Sequence, residues 1–411
     1  MVALKALAFG LFLSRVLAVP TPVESSTSPS DTPPTASPST PEAQAQLEQL
    51  SSIAYNVSRS NLETGSQTKR SGGCSLSNLR VRREWSTFTA RQRKSYIDAV
   101  LCLQSLPART PSSIAAGAKT RYDDFVAVHI QQTLTIHYTG TFLAWHRYFT
   151  WQYEQALRNE CSYTGAFPYW DWPLSAVIGL ENHPLFDGSD TSMSGNGEPI
   201  PNKGDIFLHL GDLPSIRLPS GTGGGCVTSG PFKNFKVNLG PAALVLPGDR
   251  TEAVANPLDY NPRCLKRDLT DAIVRKFANA TAVVDLILRR KTIESFQMNM
   301  QGIPGSGSIG VHGGGHYAMG GDPGRDVFVS PGDPAFFFHH AMIDRVWWIW
   351  QNLDLKNRQN AIHGTGTFLN DPPSPDTTLD TMVDLGYAGG PMLPMRDLMS
   401  TINGPFCYVY L

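Results

Sequence analysis

The placement of histidines restricts this chain more than any other feature. Six of its ten histidines form two groups of three. The first is His129, His137 and His146, spaced by eight and nine residues. The second is His312, His316 and one member of the pair His339-His340, the latter 24 residues after His316. His146 stands inside the apolar run Phe142-Leu143-Ala144-Trp145-His146-Arg147-Tyr148-Phe149. An imidazole costs free energy to bury unpaired, so apolar helices that carry one need a hydrogen bond or a metal to explain it. For any single histidine here, a satisfied core residue is the simpler explanation; two triads in one chain shift the balance toward metal.

The kind of metal follows from the donor set. Spacing of four puts His312 and His316 on one face if that segment is helical, although Gly313, Gly314 and Gly315 make the helix poor on propensity alone. Zinc proteases share the His-x-x-x-His pattern, but the general-base Glu they need beside the first His is Gly313 here, which disfavours a zinc hydrolase. All-imidazole sites suit copper in both of its common oxidation states, and the lack of a nearby Cys argues against an electron-transfer blue-copper centre. Two three-histidine coppers facing each other suit the binding of dioxygen between them.

Composition narrows the setting. With 411 residues, 41% hydrophobic and 17% charged, the chain can build one large domain or two ordinary ones. Its 37 Gly and 31 Pro imply many ordered loops. Lys plus Arg is 34 against 35 Asp plus Glu, a net charge of -1 with no basic stripe, which excludes nucleic acid as a partner. Residues 1–18, with Lys5 and the apolar stretch Ala6 to Leu13, have the layout of a cleaved signal peptide, and nothing later approaches the ~20 apolar residues that span a membrane. The expectation is a secreted, extracellular protein with no membrane partner. Six cysteines without a Cys-x-x-Cys pair then read as three disulfides.

Residues 19–70 read as a propeptide or linker and 71–411 as the catalytic domain, without a further boundary. From Val19 to about Ala45 the chain is Pro, Ser and Thr, and disorder is expected there. A short helical spacing follows at Leu47, Leu50, Ile53 and Ala54, and Lys69-Arg70 looks like a processing site. Asn56-Val57-Ser58 and Asn279-Ala280-Thr281 are N-glycosylation sequons. A helix capped by Thr89 and Gln92 is predicted to run to about Ser105, others over Tyr122–Gln132 and Phe142–Asn159. Asp333-Pro334 predicts a further helix, Ala335–Leu353, with Asp333 as its cap. Residues 183–262 and 302–333 read as ordered loops, and His183, His209 and His363 as loop or surface residues without partners.

With these residues in view, the chain resembles the tyrosinase and catechol oxidase (polyphenol oxidase) family of type-3 dicopper proteins, in particular its short secreted fungal-type members. The resemblance rests on the two triads, on Phe142-Leu143-Ala144-Trp145-His146-Arg147, and on the run from Asp333-Pro334-Ala335-Phe336 through His339-His340 to Asp344-Arg345. Phe167-Pro168-Tyr169-Trp170-Asp171-Trp172, Arg83-Glu84-Trp85 and Tyr408-Val409-Tyr410 extend it over residues 83–410. It implies a mainly α fold: a central four-helix bundle holding the dicopper site, surrounded by long ordered loops with few short strands. The implied cofactors are two copper ions, held by His129, His137 and His146 and by His312, His316 and His340. His339 is left as a packing neighbour, and Asp344, one turn beyond His340, is expected to orient that imidazole unless it pairs with a nearby Arg. Gly313, Tyr317, Val327 and Phe336 are placed around the substrate pocket.

The activity implied is oxidation of o-diphenols to o-quinones with reduction of O2 to water, the partners being small phenols. Relatives with strong monophenol hydroxylation often carry Asn directly after the first histidine of the second site, paired with a Glu that holds a water. Here that position is Gly313 and no Glu occurs between Phe296 and Gly313, the nearest being Glu294, so a diphenol oxidase is favoured over a true tyrosinase or an o-aminophenol or methoxyphenol oxidase. Val327, 13 residues before His340, stands where some relatives have Phe and leaves room for substituted phenols. An oxygen carrier of the haemocyanin kind is the remote alternative. Thr135 replaces the Cys that some relatives join to the middle histidine, and latency, if any, falls to the N-terminal segment. Six cysteines allow fifteen pairings; the favoured set is Cys74-Cys407, Cys102-Cys161 and Cys226-Cys264.

Overall fold

The structure, a computed structural model, describes residues 40–64 and 73–411. The signal segment, the Pro/Ser/Thr stretch before residue 40 and Lys69-Arg70 lie outside the described residues. The helices that carry the architecture are α1 (Pro41–Thr64), α2 (Ala90–Ser105), α3 (Arg121–Ile136), α4 (Phe142–Cys161), α5 (Trp172–Ile178), α6 (Asp271–Phe277), α7 (Ala280–Arg289), α8 (Ile293–Gln301), α9 (Gly310–Met319) and α10 (Phe336–Asn352). The strands are short. β1 (Arg80–Glu84) pairs parallel with β2 (Pro168–Tyr169) on one side and with the C-terminal strand Tyr408–Tyr410 on the other, Val81 opposite Val409.

Local chemistry accounts for most helix starts. Thr89 and Gln92 close a reciprocal cap on α2, and Thr120 and Asp123 do the same on α3, each satisfying amide groups that a helix start leaves bare. Every residue of α10 is buried, Trp347, Trp348 and Trp350 among them. A helix apolar on all sides belongs at the centre of a fold, and α10 packs against α4, α7, α9 and α1. With α3 and α4 it forms the bundle into which α9 inserts.

A buried ionic knot fastens the bundle to the small sheet. Arg82 of β1 reaches Glu154 at 2.9 Å, Asp344 at 3.4 Å and the Tyr410 hydroxyl at 2.9 Å. Asp344 also accepts from Arg147 Nε and from the Tyr408 and Tyr410 hydroxyls, each at 2.6 Å. Burial alone would raise the Asp344 carboxyl, but Arg147 and Arg82 hold it below the usual carboxylate range. Its two oxygens are committed to these four groups, and His340 Nδ1 has no hydrogen-bond partner. The expected orienting bond from Asp344 to His340 is therefore corrected: Asp344 is the pivot of an arginine-tyrosine network.

Other expectations shift as well. Residues 41–45 are not disordered but open α1, which buries Leu47, Leu50 and Ala54 against the domain, while Ile53 stays exposed. Trp348 Nε1 donates to Ser58, Ser58 donates to Asn352 and Arg345 donates to Ser51, so α1 is bonded to α10. Helix α10 starts at Phe336, one residue later than expected, and the Asp333 carboxylate both accepts from Ala335 N at 2.9 Å and forms a buried pair with Arg267 at 2.7 Å. Residues 183–262 carry two-stranded ladders, such as Ile206–Leu208 with Ile216–Leu218, and 302–333 contains α9. Cys74-Cys407, Cys102-Cys161 and Cys226-Cys264 are bonded. Asn279 is fully buried: it caps α7 through Ala282 N and donates to the Arg275 carbonyl, which leaves no room for a glycan. Among the described residues no helix is long and apolar enough to cross a membrane.

Candidate metal centre

Four elements bring the histidines together. His129 lies within α3 and His137 just beyond its end, in extended backbone; His146 is on α4, His312 and His316 on α9, and His339 and His340 on α10. One ring nitrogen from each of His129, His137 and His146 lies within 4.8 Å of the others, and the same holds for one from each of His312, His316, His339 and His340. The groups face each other: the His146 and His340 rings stack with centroids 4.5 Å apart, and His137 lies 5.8 Å from His312.

Helix α9 forms despite three successive glycines because they are where neighbours come close. A Cβ on Gly314 would meet Phe277 Cβ at 2.9 Å, and one on Gly315 would stand 2.3 Å from the His339 ring. Glycine's cost in helix propensity is thus offset by packing on α6 and α10. Gly313 and Tyr317, one turn apart, are the partly exposed positions of this helix.

Hydrogen bonding sets how the rings of the first group are held. His137 and His146 place Nδ1 at 3.0 and 2.8 Å from the carbonyls of Thr133 and Phe142, each four residues upstream. His129 Nδ1 lies 2.8 Å from the Phe328 carbonyl, 199 residues away in sequence. A carbonyl only accepts, so each Nδ1 carries the proton and each Nε2 keeps its lone pair. In the second group His316 and His340 bring their Nε2 atoms to 3.3 Å. His316 Nδ1 is directed toward Gly324 and the His339 ring toward the His312 backbone, neither closing a hydrogen bond, and His340 Nδ1 is also unbonded.

Burial keeps all of these rings neutral. It pushes His137 down to about 4 and His316 to about 3, and it holds His129, His146, His312, His339 and His340 well below the usual imidazole value, with neighbouring imidazoles adding to the effect in all but His137. Buried Nε2 atoms of His129, His146 and His312 have no hydrogen-bond partner. Unprotonated, unpaired, convergent nitrogens with no thiolate or carboxylate among them are a donor set fitted to copper.

The expected pocket residues separate into two kinds. Val327 is 41% exposed, in the loop between α9 and α10. Phe336 is fully buried and stacks on His340 at 4.1 Å, with His129 at 5.5 Å, so it is a wall beneath the histidines and not a surface that substrate meets. Glu294 is exposed on α8, 3.6 Å from His363. The other histidines are corrected: His183 is fully buried, accepts from Leu185 N and lies 3.4 Å from Glu84, while His209 and His363 are exposed but paired with Asp249 and Glu294. The Phe328 carbonyl was not foreseen, since a backbone acceptor so distant leaves no mark in the sequence.

Known proteins share this arrangement. The family model described as the common central domain of tyrosinase matches residues 119–353. Tyrosinase P of Aspergillus terreus is 42% identical over 334 residues, covering 80% of this chain and 91% of that protein. The N-acetyl-6-hydroxytryptophan oxidase of Emericella nidulans is 37% identical over 350 residues, covering 82% and 93%. Among solved structures, a variant of the polyphenol oxidase of Thermothelomyces thermophila superposes with a TM-score of 0.83 at 43% identity, covering 89% of this chain and 98% of that one. The facing histidine groups are accordingly a type-3 dicopper site, and the chain belongs to the tyrosinase family of copper oxidoreductases.

Proposed function

We propose that the chain is a secreted oxidase of o-diphenols, with His129, His137 and His146 holding one copper and His312, His316 and His340 the other. When bound, the coppers supply the reduction of dioxygen to water and the acceptance of electrons from the phenol. The protein's part is geometric. Backbone carbonyls fix the Nδ1–H groups of the first three imidazoles, and the Phe336 ring backs His340 and His129 and keeps water from that side. Val327, Gly313 and Tyr317 border the open side, where a planar catechol can enter edge-on.

The observation that carries the diphenol preference is the residue directly after His312. Gly313 offers no side chain to hold a water, and Glu294 points away to His363. Neither residue is then placed to take the proton of an incoming monophenol. The 37% relative named for a hydroxytryptophan derivative supports a second reading, in which hydroxyindoles are also accepted. Initial rates on a catechol, its matching monophenol and a hydroxyindole, measured with copper-loaded protein, test both. A monophenol rate equal to the catechol rate without a lag would overturn the preference, and oxygen binding without quinone formation would overturn the enzyme reading.

The export signal and three disulfides support secretion, and Asn56, exposed on α1, is the sequon placed to carry a glycan. Cleavage at Lys69-Arg70 would leave α1 bonded to α10, so in this reading the helix stays with the catalytic unit after processing.

A further inference from the structure

Within the first group of histidines, one hydrogen bond differs in kind. His137 and His146 are oriented by carbonyls of their own local turns, which persist whenever α3 and α4 form. His129 depends on Phe328, in the loop between α9 and α10. One side chain ties the backbone that carries this carbonyl to a second segment. Asp326, fully buried, accepts from Phe328 N through Oδ1 at 3.0 Å, and from Ala242 N and Ala243 N through Oδ2 at 2.7 and 3.0 Å. Its own carbonyl accepts from Val329 N and Ser330 N. Among the described residues no Lys or Arg forms a salt bridge with it; Arg325, its neighbour, is paired with Asp268. A buried carboxylate without a cation is expensive to keep, and three converging amides are what this one has.

We propose that Asp326 is a positioning residue for the first copper: by clamping Phe328 to the Ala242-Ala243 segment it fixes the proton of His129 on Nδ1 and aims Nε2 at the metal. The same clamp holds Val327, the exposed intervening residue. The proposal rests on His129 being a copper ligand, but its first consequence is independent of copper, because the Nδ1 proton belongs to the metal-free ring. Asparagine at 326 can accept through only one oxygen, so it must turn an NH2 group toward either Phe328 N or the Ala242 and Ala243 amides.

The test uses Asp326→Asn and Asp326→Ser in the full chain. In metal-free protein, nitrogen NMR reads which ring nitrogen of His129 carries the proton. In copper-loaded protein, metal retained against a graded chelator reads the affinity of each copper. The expected result is a His129 ring that no longer holds its proton on Nδ1 alone, and one of the two coppers bound about 10–100-fold more weakly, the usual effect of losing a group that orients a ligand. Serine keeps an acceptor for Phe328 N and is expected to lose less; it also stands in if the Asn variant does not fold. An unchanged tautomer with both coppers retained would overturn the proposal, and so would equal weakening of both coppers, the mark of general loosening. Failure of wild-type protein to bind copper would instead count against the functional reading, leaving the NMR result to judge Asp326.

Discussion

The two halves of the metal centre are built differently. In the first, three imidazoles on α3, its C-terminal edge and α4 are fixed through Nδ1 by backbone carbonyls, so their geometry is complete in the folded protein. In the second, α9 is a glycine-rich helix seated by close packing, and the imidazoles of His316, His339 and His340 lack such bonds. The first half is organised by hydrogen bonds and the second by steric fit. A carbonyl fixes a ring's angle directly, whereas packing fixes it only as well as the surrounding helices are held. The second half should therefore respond more strongly to changes in helix packing, and the first to changes in individual acceptors.

The largest effect expected comes from the adjacent pair in the second half. His340→Ala should cost about three orders of magnitude in catechol turnover, about 4 kcal/mol of barrier, and leave one copper per chain. His339→Ala should keep both coppers by metal analysis. The reverse outcome would exchange the roles of the two residues.

The ionic knot offers the next largest effect. Asp344→Ala leaves the buried Arg147 without a carboxylate and Arg82 with Glu154 alone, and should lower stability by about 3–5 kcal/mol, while the folded fraction still binds two coppers, because Asp344 does not bond to His340. The native Asp344 carboxyl is held below its ordinary value of 3.8. Its ionised form thus stabilises the fold fully above that pH, and the contribution is lost as pH falls through the lower native value. The gap in melting midpoint between wild type and Asp344→Ala should then be constant above about pH 5 and narrow below pH 4.

Gly315→Ala tests the steric half directly. Its Cβ would stand 2.3 Å from the His339 ring, so α9 and α10 must part at a cost of about 1–3 kcal/mol, weakening one copper while the other holds in chelator titration. The smallest effect belongs to the rim. Val327→Phe should raise KM for bulky catechols about tenfold relative to catechol itself, with kcat little changed.

Much of this was legible before the structure, for physical reasons that differ by region. The Thr89–Gln92 cap and the unbroken apolar run after Ala335 act within a few residues, and both were readable. The two histidine triads stood out because buried imidazoles need an explanation. What was illegible depends on distance. Asp333 looked like a cap and does accept from Ala335 N, but its buried pair with Arg267, 66 residues away, left no mark; Asp344 looked like a histidine partner, but β1 and the C-terminal strand deliver Arg82, Tyr408 and Tyr410 to it. Asn279 has the form of a glycan acceptor and is buried by its role in starting α7. The start of α1 was missed because Pro41 and its small neighbours look like linker until the helix is seen docked on α10.

The bond between Cys74 and Cys407 spans 333 residues and joins the two ends of the described domain. The polypeptide between them is covalently a ring. A protease that cuts once in any of its surface loops opens the ring without releasing a fragment, and all seven histidines of the two groups stay on one molecule. Durability against proteolysis would then be decided by whether a cut disturbs the histidine geometry, and not by whether the pieces drift apart.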